Sequence, residues 1–206
     1  MKPMAPLSIV FSATVEGATD EAVLRRVVEH LGATLGPVYG KTGKASLLRQ
    51  LHSYNQAAQF WPWIVLVDLD QDADCAPPAR TQWLPDPAAR MCFRIAVREV
   101  ESWLLADRET LADFLAIALS RVPIDPENLD DPKAVLVNLA RSSRRRDIRV
   151  DMVPRPESGR QVGPAYASRL IEYTQGPWRP HVATQHADSL QRLCQRLAEL
   201  IDSCKE

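Results

Sequence analysis

The chain has only four cysteines in 206 residues, and no pair among Cys75, Cys92, Cys194 and Cys204 has C-x-x-C spacing. Reduced thiols are therefore expected rather than a disulfide framework or a cysteine-paired zinc site. No apolar run approaches the roughly 18 residues of a membrane-spanning helix. No secretory leader is recognisable, so the cytoplasm is the expected compartment and no membrane partner is expected. Net charge is −1, so the whole-molecule field does not mark a nucleic-acid binder, and any basic surface has to be local. Internal repeats and low-complexity tracts are absent too. What remains is ordinary for a globular protein: 46% apolar and 25% charged residues, in a chain long enough to bury a core unaided.

The first half alternates strand and helix signals. Leu7 to Thr14 is short, apolar and β-branched, and reads as a buried strand. An amphipathic helix is predicted from Thr19 to Leu31, with Thr19 as its cap and Asp20 and Glu21 in its positive first turn. A second strand over Ala33–Tyr39 and a helix over Lys44–Gln59 are predicted on a weaker pattern. Trp63 to Val67 is a near-continuous apolar run, as a strand buried on both faces requires. It stops abruptly at Asp68-Leu69-Asp70-Gln71-Asp72-Ala73-Asp74. A Pro-rich loop with Pro77, Pro78, Pro85 and Pro87 leads to a fourth strand, Met91–Val97, and then a helix through about Leu119. Beyond the Pro123 and Pro126 break only helices are predicted, near 132–140, 163–173 and 186–201. The expected fold is α/β: a parallel sheet flanked by helices over residues 1–120, with a mainly helical part, 121–206, packed on it.

Three of these strands end in acids: Glu16, then Asp68 and Asp70, then Glu99 and Glu101. Right-handed crossovers place all carboxyl ends of a parallel sheet on one edge, where ligands bind. Acids far apart in sequence become neighbours there, and their mutual repulsion is relieved by a cation. Hard oxygen donors suit Mg²⁺ or Mn²⁺. The bland alternative is that strand-end acids face solvent. The Asp68–Asp74 run is not a calcium loop, since it lacks the glycine at position six and the glutamate at position twelve.

At this point the sequence resembles a known superfamily. Val15-Glu16-Gly17-Ala18-Thr19-Asp20 resembles the strand–Glu-Gly-x-x-Asp motif of Toprim domains, and Val67-Asp68-Leu69-Asp70 their Asp-x-Asp motif. Such domains occur in primases, topoisomerases and overcoming-lysogenization-defect nucleases. Arg98-Glu99-Val100-Glu101-Ser102-Trp103-Leu104-Leu105-Ala106-Asp107 is similar to a signature of an uncharacterised bacterial Toprim-like family whose genes often neighbour ATPase genes in phage-defence loci. The resemblance implies a Toprim/Rossmann-like sheet, a Mg²⁺-dependent nuclease, and an ATPase partner. Glu16 would act as acid/base or metal ligand, and Asp68 and Asp70 would hold the metal. Ala73 stands where many Toprim loops carry glycine, which implies a different loop geometry.

Glu99 and Glu101 share a face only if the fourth strand continues to Val100; on a helix one of them reaches the cluster, Glu99 being nearer the strand end. Alternatively they pair with Arg94 or Arg98. Lys133, at a predicted helix start, resembles the lysine that some Toprim nucleases aim at the scissile phosphate. Residues 141–160 hold seven arginines against three acids, a local net of +4. Arg141, Arg144, Arg145, Arg146 and Arg149 are the expected nucleic-acid contacts, because the guanidinium fork matches phosphate oxygens; a solvated face is the alternative. Other patterns are set aside. The glycines of Gly36-Pro37-Val38-Tyr39-Gly40-Lys41-Thr42 are four apart, one short of a phosphate loop, although Lys41 and Lys44 can still face the crevice. His181 and His186 lack zinc spacing, and Ser12 lacks a Gly-x-Ser-x-Gly elbow. The five tryptophans are expected as core anchors. The leading expectation is thus a metal-dependent nuclease, with a catalytically degenerate binding module as its rival.

Overall fold

The computed structural model describes residues 9–204. Four parallel strands, β1 (Val10–Val15), β2 (Thr34–Gly40), β3 (Trp63–Asp68) and β4 (Met91–Ala96), lie in the order β2-β1-β3-β4. Alternate residues of β3 and β4 face opposite sides of the sheet. Ile64, Leu66, Cys92 and Ala96 join a large core with helix α1 (Ala18–His30), whereas Val65, Val67, Met91, Phe93 and Ile95 join a smaller one with α2 (Lys44–Ala57) and α3 (Ala76–Trp83). The result is a three-layer α/β/α arrangement with a Rossmann-like layout. Leu7 and Ser8, assigned to the first strand from sequence, lie outside the described residues.

The larger layer is completed by α4 (Val100–Ala106), α5 (Arg108–Leu115), α6 (Pro132–Arg141), α7 (Arg146–Met152), α8 (Tyr166–Gln175), α9 (Pro180–Ala183) and α10 (Asp188–Ser203). Their apolar faces belong to the same continuous core as β1 and α1. In α10, Leu190, Leu193, Leu197, Leu200 and Ile201 form one buried stripe, each contributing roughly 1.5–3 kcal/mol relative to exposure. Trp103 and Trp178 are fully buried, and the Trp178 indole donates to the Trp103 carbonyl at 3.2 Å. Trp61, by contrast, is 57% exposed and anchors no core. Among the described residues no helix is long and apolar enough to cross a membrane.

Several local expectations are corrected. The cap of α1 is Gly17, not Thr19, and Asp20 reaches back to the Gly17 N–H. The Pro-rich segment contains α3, because Pro77 and Pro78 fall in its first turn, where a missing N–H costs nothing. The single helix predicted after β4 is two, broken at Asp107, whose backbone is non-helical (φ −89°, ψ 72°) and whose carboxylate is claimed by Arg179. Helices α7 and α9 were not expected. The phosphate-loop look-alike Gly36–Thr42 mostly belongs to β2, an edge strand where Pro37 sits beside a register shift. Gly40 is needed there, since it has φ 86° and a Cβ would lie 2.5 Å from the Val15 carbonyl.

Candidate functional site

Helix α1 covers one face of the sheet and α2 the other, so the chain reverses its winding between β1 and β3. In such sheets this switch point opens a crevice at the carboxyl ends of the strands. Glu16 follows β1 and Asp68 ends β3, so both stand at its lip. The Asp68 N–H donates to Glu16 Oε1 at 2.9 Å, and Asp68 Oδ1 accepts the Val100 N–H at 3.1 Å, capping α4. Asp20 Oδ2 accepts the Gly17 N–H at 2.6 Å. Each of these three carboxylates therefore has one oxygen anchored by backbone. Glu16 Oε2, Asp68 Oδ2 and Asp20 Oδ1 have no protein partner among the described residues.

The acids disturb one another. Burial, reinforced by Asp20 and Asp70 and opposed by the Asp68 N–H and Lys44, pushes the Glu16 carboxyl up to about 7. Burial and then Asp20, Glu101, Glu16 and Asp70 raise Asp68 well above the carboxylate range. Asp20 is raised by burial, against the Gly17 N–H and Lys133. Glu101, only 5% exposed in its side chain, is pushed up to about 7 by burial, against Lys133.

Two lysines serve this cluster. Lys44 Nζ lies 2.7 Å from Asp70 Oδ2 and 2.7 Å from Asp72 Oδ2. Lys133 Nζ contacts Glu99 Oε1 and lies 3.8 Å from Glu101 Oε1, while its N–H donates to Glu99 Oε2 at 3.2 Å. Burial opposes the charge on both, but Asp70 and Asp72 around Lys44, and Glu101 and Glu99 around Lys133, keep them firmly protonated. Each lysine occupies the first turn of its helix, and neither first turn contains an acid. A cation at the positive end of a helix is locally unfavourable. Both exceptions are resolved by carboxylates from strand ends, the kind of local rule-breaking that marks functional sites.

The rim is strained as well. Lys41 (φ 63°), Asp70 (φ 50°) and Arg98 (φ 59°) are three of the four non-glycine residues with left-handed backbone among the described residues, and they follow β2, β3 and β4. Asp70 and Arg98 lock each other: the Asp70 N–H meets the Arg98 carbonyl at 2.8 Å, and Arg98 Nη1 meets the Asp70 carbonyl at 2.9 Å.

The structure brings Glu16, Asp68, Asp70, Glu99, Glu101 and Lys133 together at one edge. Neither expectation for Glu99 and Glu101 describes them: β4 stops at Ala96 and Glu99 caps α4 in extended conformation, so the two carboxylates converge on Lys133 without sharing a helix face or a strand. Neither pairs with Arg94 or Arg98. Asp20 was not assigned to the site from sequence, and Lys44 was expected only to be able to face the crevice. Asp20 was legible as the last residue of the Glu-Gly-x-x-Asp motif, and Lys44 as a lysine in an acid-free first helical turn.

The arginine tract is elsewhere. Lys133 and Arg141 stand at opposite ends of α6, roughly 12 Å apart along its axis. Arg144 and Arg145 donate to the Ala116 and Phe114 carbonyls at 3.3 Å, satisfying the end of α5, and Arg145 also holds Asp147. Arg149 binds the Ser143 carbonyl. Arg141 and Arg146 are exposed with no protein partner among the described residues.

Fold and site together define an α/β protein with a lysine-bridged carboxylate cluster at its topological switch point. The chain belongs to the family described as Domain of unknown function (DUF4276), whose model matches residues 15–198. Neither the curated proteins nor the solved structures provide a match.

The donor chemistry fits a hard divalent cation, since the spare oxygens belong to acids that burial and mutual repulsion drive toward neutrality. Among the described residues no three His, Cys, Asp or Glu side chains are grouped so as to hold a metal ion.

Proposed function

We propose that the strand-end cluster is the active site of a Mg²⁺- or Mn²⁺-dependent nuclease of the Toprim type, hydrolysing phosphodiester bonds in nucleic acid. The observation that carries this reading is the trio Glu16, Asp20 and Asp68, each with one oxygen anchored and one spare, at the carboxyl ends of β1 and β3. Its agreement with the Glu-Gly-x-x-Asp and Asp-x-Asp motifs supports it further. Asp68, Asp70 and Asp20 would hold the metal. When bound, a divalent cation supplies the positive charge that lowers the pKa of attacking water and neutralises a leaving oxygen. Glu16, whose carboxyl is raised by burial, suits the role of general acid or base. Glu99 and Glu101 aim the Lys133 ammonium, which would offset charge developing on the phosphate. Lys44 orients Asp70. By its resemblance to phage-defence proteins, the enzyme would work as an effector beside a partner ATPase.

One observation favours a second reading. Lys44 and Lys133 already neutralise Asp70, Glu99 and Glu101, so the cluster is electrically serviceable without a cation. A degenerate site that docks nucleic acid or protein is consistent with that. Incubating the purified chain with plasmid, single-stranded DNA and RNA in Mg²⁺ and in Mn²⁺ separates the two. The nuclease reading expects cleavage that EDTA, Asp68→Ala and Glu16→Gln each abolish. Cleavage surviving Asp68→Ala overturns it, and salt-sensitive binding without cleavage selects the second.

A further inference from the structure

A second feature lies along the free side of β4. There α3, β4 and α10 enclose an open cleft of about 560 Å³, within the range of small-molecule sites. Four arginines line it: Arg80 from α3, Arg94 from β4, and Arg192 and Arg196 one turn apart on α10. Four acids line it too, Asp74, Glu127, Asp188 and Glu199, and the structure spends all but the exposed Asp74. Glu127 accepts from the Ser189 N–H at 3.1 Å and from its hydroxyl, fixing the start of α10. Glu199 holds Arg196 at 3.2 Å, and Asp188 lies 3.9 Å from Arg192.

Arg80 and Arg94 are left over. Arg80 is exposed and has no protein partner among the described residues. Arg94 is half-buried and meets only main-chain carbonyls, through Nε to Arg192 at 3.2 Å and Nη1 to Phe93 at 3.0 Å. Its Nη2 has no partner among the described residues, and no carboxylate pairs with the group. Burial weakens its hold on its proton against Cys92, and the neighbouring Arg80 and Arg196 guanidiniums act with burial while Glu199, already engaged by Arg196, opposes them. Gathering like charges around a half-buried arginine is costly unless an anion sits among them. The planar fork of arginine matches phosphate oxygens two at a time. Ala76, Pro77 and Ile95 add an apolar wall beside this charge.

We propose that this cleft binds a small phosphate-bearing molecule, its phosphate held by Arg80 and Arg94 with Arg196 alongside, and its less polar part against Ala76 and Pro77. The proposal does not rest on the nuclease reading.

The test is calorimetric titration of the intact protein in EDTA, so that no metal at the carboxylate cluster recruits the probe. Inorganic diphosphate and adenosine 5′-monophosphate are the two probes. Binding of at least one is expected, weakened tenfold or more by Arg80→Ala and lost in Arg94→Met. Arg80 has no internal partner, so its variant keeps the fold, which an unchanged urea midpoint verifies, and it decides the matter should Arg94→Met unfold. A nucleotide preference assigns the apolar wall to the ligand's base, and equal affinities assign the site to the phosphate group alone. No heat from either probe at millimolar concentration overturns the proposal. So does binding unchanged in Arg80→Ala, or binding reduced equally by Arg49→Ala, an exposed position on α2 outside the cleft.

Discussion

The protein buries acidic side chains in two places and treats them oppositely. Asp107, fully buried at the α4–α5 break, receives Arg179 through Nη2 at 2.7 Å, Nε at 3.0 Å and the backbone N–H at 2.9 Å. Burial alone would raise its carboxyl, but these donors and Thr110 hold it below the usual range. At the strand ends, Glu16, Asp20, Asp68 and Glu101 are raised instead. The residue types are the same, and the difference is supply. Asp107 has a donor for each oxygen, whereas Glu16, Asp20 and Asp68 share a crevice with one anchored oxygen each. A fully supplied acid is a fastener, and an undersupplied one keeps affinity for a ligand's positive charge.

The largest effect that tests this contrast comes from Asp107→Ala. It removes the acceptor of three Arg179 donors and unties the α4–α5 corner, leaving that guanidinium only Glu109, and should cost about 3 kcal/mol, read from urea unfolding. Asp68→Asn should cost far less, or stabilise in EDTA, because it replaces a carboxyl whose ionisation burial and its neighbours oppose, while an amide oxygen keeps the Val100 N–H. Equal losses in the two variants would break the comparison. Next in size is metal linkage. At a hundred times its Kd, Mg²⁺ should stabilise the wild type by about 2.7 kcal/mol and leave Asp68→Asn unmoved, measured as a shift in unfolding midpoint.

The pH dependence carries opposite signs in the two regions. A carboxyl raised in the folded state holds protons that the unfolded chain has released. Its contribution to stability therefore falls as pH rises from about 4.5 to about 7, the window set by Glu16 and Glu101. A lowered carboxyl such as Asp107 contributes stability above its unfolded pKa and loses it as pH falls through its folded one. Unfolding midpoints in EDTA should thus decline between pH 5 and 7.5, by on the order of 1 kcal/mol after solvent screening, and Glu16→Gln should flatten that decline. The smallest effect concerns the arginine tract. Arg141→Ala and Arg146→Ala should leave stability within about 0.5 kcal/mol and, if the tract contacts nucleic acid, each should reduce the salt slope of binding by about one.

Much of the fold was legible from periodicity. The apolar run at Trp63–Val67 marked a strand buried on both faces, and the stripe from Leu190 to Ile201 marked a helix, because burial imposes a spacing on the sequence. Breaks that depend on distant partners were not legible. Nothing near Asp107 announces a helix break, since its cause, Arg179, is 72 residues away. The site was half legible. Glu16, Asp68 and Asp70 stood out at strand ends, whereas Asp20 read as an ordinary first-turn acid and Lys44 only as a residue able to face the crevice.

The sequence by itself determined the alternation of strands and helices and the placement of acids after three of the strands, since both are local properties of the chain. Only the tertiary structure decided which acids became neighbours, which oxygens stayed spare, and that α6 separates Lys133 from Arg141. The reason is physical: strand order and helix packing set distances in space, and the strength of a charge's interactions depends on those distances and on burial, neither of which is written in local spacing.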